Sequence, residues 1–270
     1  MDQPAAAPAF GALLRRWRHR RGRSQLALAA DAEVSARHLS WLETGRAQPS
    51  RAMALRLARC LDLPLRDRNA LLVAAGYAPM YAERALTDAA LRPAREALQR
   101  LLDAHEPAPA LAVDRHWQLV AANRMVEPLL AAVAPALRAP PVNVLRLSLH
   151  PDGLAPLIAD LPAWRRHVMQ RLGQQLASSG DPQLAALRTE LRALAVAAGG
   201  DQHDDDGAAS ADPIVPLVLN TPWGRLAFVT TVTVFGAAHE LTLAELAVET
   251  LLPADTATAD ALQRIRAGLG

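Results

Sequence analysis

Residues Gln25–Thr44 read QLALAADAEVSARHLSWLET, and this stretch decides the fold. It encodes two short helices joined by a tight turn. Ser24 can cap a helix over Gln25–Ala30, Ser35 can cap a second over Ala36–Glu43, and Gly45 ends it. Ala29 is small where the helices must cross, and Val34, Leu39 and Leu42 plug the angle between them.

Helical patterning extends outward from this pair. Phe10, Leu13, Leu14 and Trp17 share one face of a preceding helix, which Gly22 stops after an arginine-rich last turn. Ser50 can cap a fourth helix running to Leu61, and a fifth follows Pro64 and ends near Gly76. Charge singles out the same region. Residues 1–78 hold 13 arginines against 6 acids, a net +7, whereas the rest of the chain carries −5 and the whole only +2. A basic head on an acidic body points to a polyanionic partner for the head. Arg15, Arg16, Arg18, Arg20, Arg21 and Arg23 form a dense run, about half of which is expected to serve solubility.

The pattern over residues 10–76, with its exit loop Gly45-Arg46-Ala47-Gln48-Pro49-Ser50, resembles the lambda-repressor and Cro-like (XRE) helix-turn-helix family. The resemblance implies a positive φ in the turn, where that family often has glycine and Glu33 stands here at a cost of about 1 kcal/mol at most. The resemblance implies that the second helix of the pair lies in the major groove of duplex DNA, N-terminus first. Ser35, Ala36, Arg37 and Ser40 are then nearest the bases, and Arg37 can offer two parallel donors to a guanine edge. Gln25, Arg46 and Arg51 are expected to meet phosphate. A homodimer is expected, because a single such reader covers few base pairs and two read half-sites about 34 Å apart.

The length of 270 residues suits two domains, and 51% hydrophobic content supports sizeable cores. The expected division is a helix-turn-helix domain at 1–78, a linker and connecting helix at 79–105, and a mixed α+β domain with an antiparallel sheet at 106–270. In the last of these, Leu111–Asp114 and Trp117–Ala121 read as a hairpin. Ile214–Leu219 and Arg225–Phe235 read as strands around Thr221-Pro222-Trp223-Gly224. Leu241–Leu252 fits either a capped helix or a strand. The run Leu111–Asn123 looks like the opening hairpin of a PAS-like sensor. His150-Pro151-Asp152-Gly153, Leu161-Pro162-Ala163-Trp164 and Glu249–Asp255 resemble the C-terminal domain of MmyB-like regulators, although Ala163 stands where that family often has asparagine. This resemblance implies a small apolar, fatty-acid-like ligand, a medium- or long-chain acyl molecule. Asn123, Trp164 and Phe228 are the candidate wall positions, and no anchoring charge is evident.

Several constellations point elsewhere and are weak. His203-Asp204-Asp205-Asp206 sits in a polar, glycine-flanked stretch and reads as a solvated loop rather than a metal site. Cys60 reads as a buried thiol, and a single cysteine suits a reducing cytoplasm. There is no G-x-S-x-G elbow or glycine-rich phosphate loop, no signal sequence, and no apolar run long enough to span a membrane. The expectation is a cytoplasmic, non-enzymatic transcription regulator with no cofactor or metal, binding double-stranded DNA and an acyl ligand. The alternatives are a C-terminal domain that only dimerises or binds a protein partner, and a C-terminal enzyme, for which no convergent set of titratable groups is found.

Overall fold

Three serine hydroxyls begin three helices. Ser24, Ser35 and Ser50 accept hydrogen bonds from the backbone N–H of Ala27 (3.0 Å), His38 (3.1 Å) and Met53 (3.2 Å), satisfying amides that a helix leaves unpaired at its start. In the computed structural model, which describes residues 9–197, 215–235 and 240–269, these caps open α2 (Gln25–Asp31), α3 (Ala36–Glu43) and α4 (Arg51–Cys60). They follow α1 (Phe10–Arg20) and precede α5 (Leu65–Ala74). Glu33, in the turn between α2 and α3, adopts φ +53°, the left-handed conformation the turn requires.

The expected face of α1 is buried in the core of this bundle. Phe10, Leu13, Leu14 and Trp17 of α1 pack with Leu28, Ala29, Leu39 and Leu42, and with Leu57, Leu71 and Leu72. Gly11 permits the close approach of α1 to α3, since a Cβ there would lie 2.4 Å from the Glu43 carbonyl oxygen and 2.6 Å from that of Leu42. Cys60 is half-buried rather than enclosed, its thiol 3.5 Å from the Asp31 carbonyl at the end of α4.

The chain divides into two compact units, Met1–Arg84 with Ala238–Ala244, and Ala85–Ala237 with Glu245–Gly270. The first is therefore discontinuous, which the expected boundary at residue 78 does not foresee. Its returning segment buries Leu241, whose N–H bonds the Ala82 carbonyl at 2.8 Å. The Thr242 hydroxyl donates to the Arg84 carbonyl at 2.6 Å, and the Glu240 carboxylate accepts from the N–H groups of Arg84 and Leu243, each at 2.9 Å.

The second unit opens with α6 (Arg92–Asp103), the expected connecting helix, which packs on β1 (Ala110–Val113) and β2 (Leu119–Ala122) and so belongs to this unit. Short helices α7 (Val126–Leu129), α8 (Pro135–Arg138) and α9 (Val144–Leu149) lead to long α10 (Leu161–Ser179) and α11 (Pro182–Ala197). Strands β3 (Leu217–Thr221) and β4 (Gly224–Val234) form a hairpin. After α12 (Leu241–Ala244), which belongs to the first unit, come β5 (Ala247–Pro253) and α13 (Thr256–Gly268) of the second. The stretch that fitted helix or strand is both, one turn of α12 and then the central strand of the sheet. All five strands pair antiparallel in the order β2-β1-β5-β4-β3. The expected polar stretch at His203 lies outside the described residues. No helix among those described is long and apolar enough to cross a membrane.

Candidate functional site

Arg37 and Trp41 of α3, and Thr44 just after it, are exposed at helical spacing while Leu39 and Leu42 are buried, so this segment shows one polar-aromatic stripe to solvent. The Arg37 guanidinium lies 4.6 Å over the Trp41 ring, a cation–π contact one turn apart. Ser35 is exposed, with its hydroxyl oxygen committed as the cap of α3. Ala36 packs against the bundle core, and Ser40 is half-buried, its carbonyl taken by the Thr44 hydroxyl at 2.8 Å. Arg46 and Arg51 are exposed. The loop carrying Arg46 is fixed to the end of α3 by the Arg46 N–H to the Trp41 carbonyl at 2.8 Å.

Gln25 has a second task that its position in the sequence did not disclose. Its side-chain NH2 donates to Glu43 Oε2 at 2.7 Å. Glu43 closes α3, and Arg18 reaches it from α1 with two hydrogen bonds, Nε to Oε1 at 2.6 Å and Nη2 to Oε2 at 2.9 Å. Burial alone would push the Glu43 carboxyl up; the hydrogen bonds from Arg18 and Gln25 outweigh it and hold the pKa below the usual glutamate value. Arg18 thus leaves the solvated arginine run and becomes a brace, as does Arg21, which donates to the carbonyls of Leu61 (3.0 Å) and Asp62 (2.7 Å). Trp41 is not among the motif positions in the sequence. Its signal was the spacing of four from Arg37 on the exposed side of the same helix.

In the second unit a cavity of about 100 Å³ lies between the sheet and α10. Antiparallel pairing puts Leu111, Glu249, Leu251, Thr230, Leu217 and Leu219 on one sheet face, and all six line it. Trp164, His167, Val168 and Arg171 line it from α10 at helical spacing, and Leu145 and Ser148 from α9. Most of the wall is apolar. Its polar part comes from Ser148, His167, Arg171, Thr230 and Glu249 with the tryptophan indoles. Arg171 Nη1 meets Glu249 Oε1 at 2.5 Å, an ionic contact without the alignment of a directed hydrogen bond. Arg171 also lies 4.4 Å over the Trp117 ring. The Trp164 indole N–H donates to the Ser148 hydroxyl at 2.8 Å, and the His167 ring stacks on Trp164 at 5.3 Å. Burial pushes the His167 pKa down, and the neighbouring Arg171 charge pushes it the same way.

Trp117 sits in the left-handed region at φ +66°, a strained place for a bulky residue. It is held there by its indole N–H to Gln175 Oε1 at 2.8 Å, while the Gln175 amide donates to the Arg115 carbonyl at 2.8 Å. The loop between β1 and β2 is thereby pinned to α10 beside the cavity.

Of the three expected wall positions, Trp164 lines the cavity and two do not. Asn123 is a backbone clamp: its amide donates to the carbonyls of Leu102 (3.1 Å) and Ala108 (2.9 Å), and its Oδ1 accepts from the Ala110 N–H at 3.1 Å. Phe228 shares the cavity's sheet face but is fully buried in the core opposite Leu217. The charges at the cavity escaped the sequence reading because Arg171 and Glu249 come from distant elements. No cluster of three or more metal-ligating side chains occurs among the described residues.

Comparison with known proteins gives these two surfaces a context. The MmyB-like transcription regulator ligand binding domain matches residues 94–265, and a helix-turn-helix domain matches residues 9–71. The chain belongs to the MmyB-like transcription regulators: it is a helix-turn-helix DNA-binding regulator with an MmyB-like ligand-binding domain. No curated protein matches it. Among solved structures it is similar to the clp gene regulator ClgR from Corynebacterium glutamicum, at 29% identity over 39% of this chain and 99% of that one, with a TM-score of 0.23. An RNA-binding light-oxygen-voltage receptor matches at 15% identity over 97% of this chain and 65% of that one, with a TM-score of 0.25.

Proposed function

We propose that this regulator reads a specific duplex operator as a cytoplasmic homodimer and that a small apolar ligand in the second unit modulates the reading. The observation that carries the ligand part is the mostly apolar cavity between the sheet and α10, with a few polar side chains in its wall, the Arg171–Glu249 pair among them. That division suits an amphiphile with an apolar tail and one polar head, fatty-acid-like in outline. A PAS-like sensor coupled to an XRE-type reader is the corresponding architecture.

On the DNA, Arg37 carries base recognition from the exposed stripe of α3, with Ser35, Ala36 and Ser40 closest to the groove floor. Gln25, Arg46 and Arg51 hold phosphate. The protein acts by binding rather than by catalysis. Size limits the ligand. An apolar cavity of about 150 Å³ takes benzene, so one of about 100 Å³ takes only a few carbons as it stands. A medium- or long-chain acyl group requires the walls to part.

The ligand shifts DNA affinity only if it favours one arrangement of the protein over another, an effect on the order of 1–3 kcal/mol, about 5- to 150-fold. The test extracts bound small molecules from the purified full chain for mass spectrometry, then measures operator affinity with and without them. A protein that retains no small molecule, and whose operator affinity none alters, has a C-terminal domain that serves assembly instead.

A further inference from the structure

Among the described side chains that line the cavity, Arg171 supplies a cation and Glu249 an anion, and they already hold each other at 2.5 Å. The face of the Arg171 guanidinium is also occupied by the Trp117 ring. His167 lies one turn before Arg171 on α10, and burial and then the Arg171 charge both disfavour its protonated form. Ser148, Thr230 and Trp164 contribute only neutral groups. Among the described side chains, the charges at the cavity therefore balance.

Resting on the proposal that this cavity is a ligand site, we infer that it takes a short amphiphile with an uncharged head, an alcohol or primary amide, in preference to a carboxylate. An ionised carboxylate entering here sheds its water and must share Arg171 with Glu249, placing two like charges at one guanidinium. A hydroxyl or amide meets no such opposition. Glu249 Oε1 is buried against Arg171, and a carboxylate oxygen keeps a further lone pair that can accept from the head. Ser148 already receives the Trp164 indole N–H on its oxygen and can donate its own proton to the head. Arg171, about 30% exposed at its side chain, remains the partner of Glu249 throughout.

The test uses the full chain at pH 7 and a panel of 1-pentanol, pentanamide and pentanoate, with ten-carbon counterparts for an opened cavity. Affinity is read by calorimetry or ligand-observed NMR. The alcohol or amide is expected to bind at least about tenfold tighter than the carboxylate at either length. Glu249→Gln keeps the shape and frees Arg171, so the carboxylate should gain on the alcohol by about tenfold or more. A wild-type protein that binds the carboxylate as tightly as the alcohol, or tighter, overturns the inference and leaves the ligand site standing. The same holds if Glu249→Gln leaves the ratio unmoved. A protein that binds no member of the panel overturns both. Should Glu249→Gln fail to fold, the wild-type ratio decides alone.

Discussion

Arg18 of α1 grips Glu43, the last residue of α3, through two parallel hydrogen bonds, with side chains only 8% and 2% exposed. Bidentate geometry offsets the cost of bringing both charges out of water, and Gln25 and the Arg23 carbonyl take up further hydrogen-bonding capacity of the pair. The brace ties the proposed reading helix to the two helices before it. Removing one partner strands a buried charge. Glu43→Ala is expected to cost about 3–5 kcal/mol of first-unit stability, whereas the double change Arg18→Met with Glu43→Leu should recover most of it. Denaturant unfolding of the single and double variants measures this, and a double variant no better than Glu43→Ala would show that packing, not the stranded charge, sets the cost.

Acid should loosen the same brace. The folded Glu43 carboxyl titrates below its ordinary value, so its contribution is fully present above the unfolded pKa of about 4.3 and is lost as pH falls through the lower folded value. Asp181, lowered chiefly by His116 against the opposing effect of burial, and Glu190, lowered by Arg146, act with the same sign in the second unit. First-unit stability is expected to be level near neutrality and to fall steeply below about pH 4.3. Glu43→Gln should flatten that fall, and an unchanged acid profile in this variant would assign the sensitivity to other groups.

How far the chain could be read in advance depended on sequence distance. The caps at Ser24, Ser35 and Ser50 act within three residues, and the strained turn at Glu33 within a few more, so both were legible. The hairpins around Arg115-His116 and Trp223-Gly224 were legible for the same reason. The Arg18–Glu43 brace, the Arg171–Glu249 pair and the Asn123 clamp each join separate elements, and a lone residue of such a pair looks like any surface arginine or capping asparagine. Leu241–Leu252 resisted assignment because it serves two environments: Leu241 is buried in the first unit, and Val248 and Thr250 are buried in the central strand of the second.

The returning segment yields a prediction about the limits of the first unit. Leu241 is buried there and Glu240 bonds two backbone amides. Leu241→Ala should destabilise the unit by about 2–5 kcal/mol and Glu240→Ala by about 1 kcal/mol. Hydrogen exchange of the α5 amides in the full chain is the readout, because α12 packs on α5. Exchange that is unchanged in Leu241→Ala would show that residues up to Arg84 are self-sufficient.

Gly11 offers a steric test of how α1 seats on α3. A methyl group there would stand 2.4 Å from the Glu43 carbonyl oxygen, and that oxygen is backbone and cannot swing aside. Gly11→Ala is helix-favouring by propensity, by roughly 1 kcal/mol, yet it should destabilise the unit by about 1–3 kcal/mol through the enforced backbone shift. A stabilised variant in thermal or denaturant unfolding would contradict the close approach.

Arg37 and Arg46 should fail in different ways, and the contrast tests the proposed DNA contacts. Arg37 lies on the exposed stripe of α3, held over Trp41, and is proposed to exchange part of that stacking for a guanine edge. Its loss to alanine should cost about 1–3 kcal/mol on the specific operator and relax preference at one base position, with little effect on random DNA. Arg46 lies in the loop fixed to the end of α3, where phosphate is the proposed partner. Arg46→Ala should weaken binding to every sequence alike and shallow the slope of log affinity against log salt by about one. The measurements are titrations of both variants on operator and scrambled duplexes across a salt series. Equal losses on both duplexes for Arg37→Ala would make it a phosphate contact, and an unmoved salt slope for Arg46→Ala would take that residue off the DNA. Trp41→Ala supplies the control for the stack: if Arg37 reads a base, releasing it from the ring should cost less than removing the guanidinium. If the two losses are equal, the ring is the element that meets the DNA.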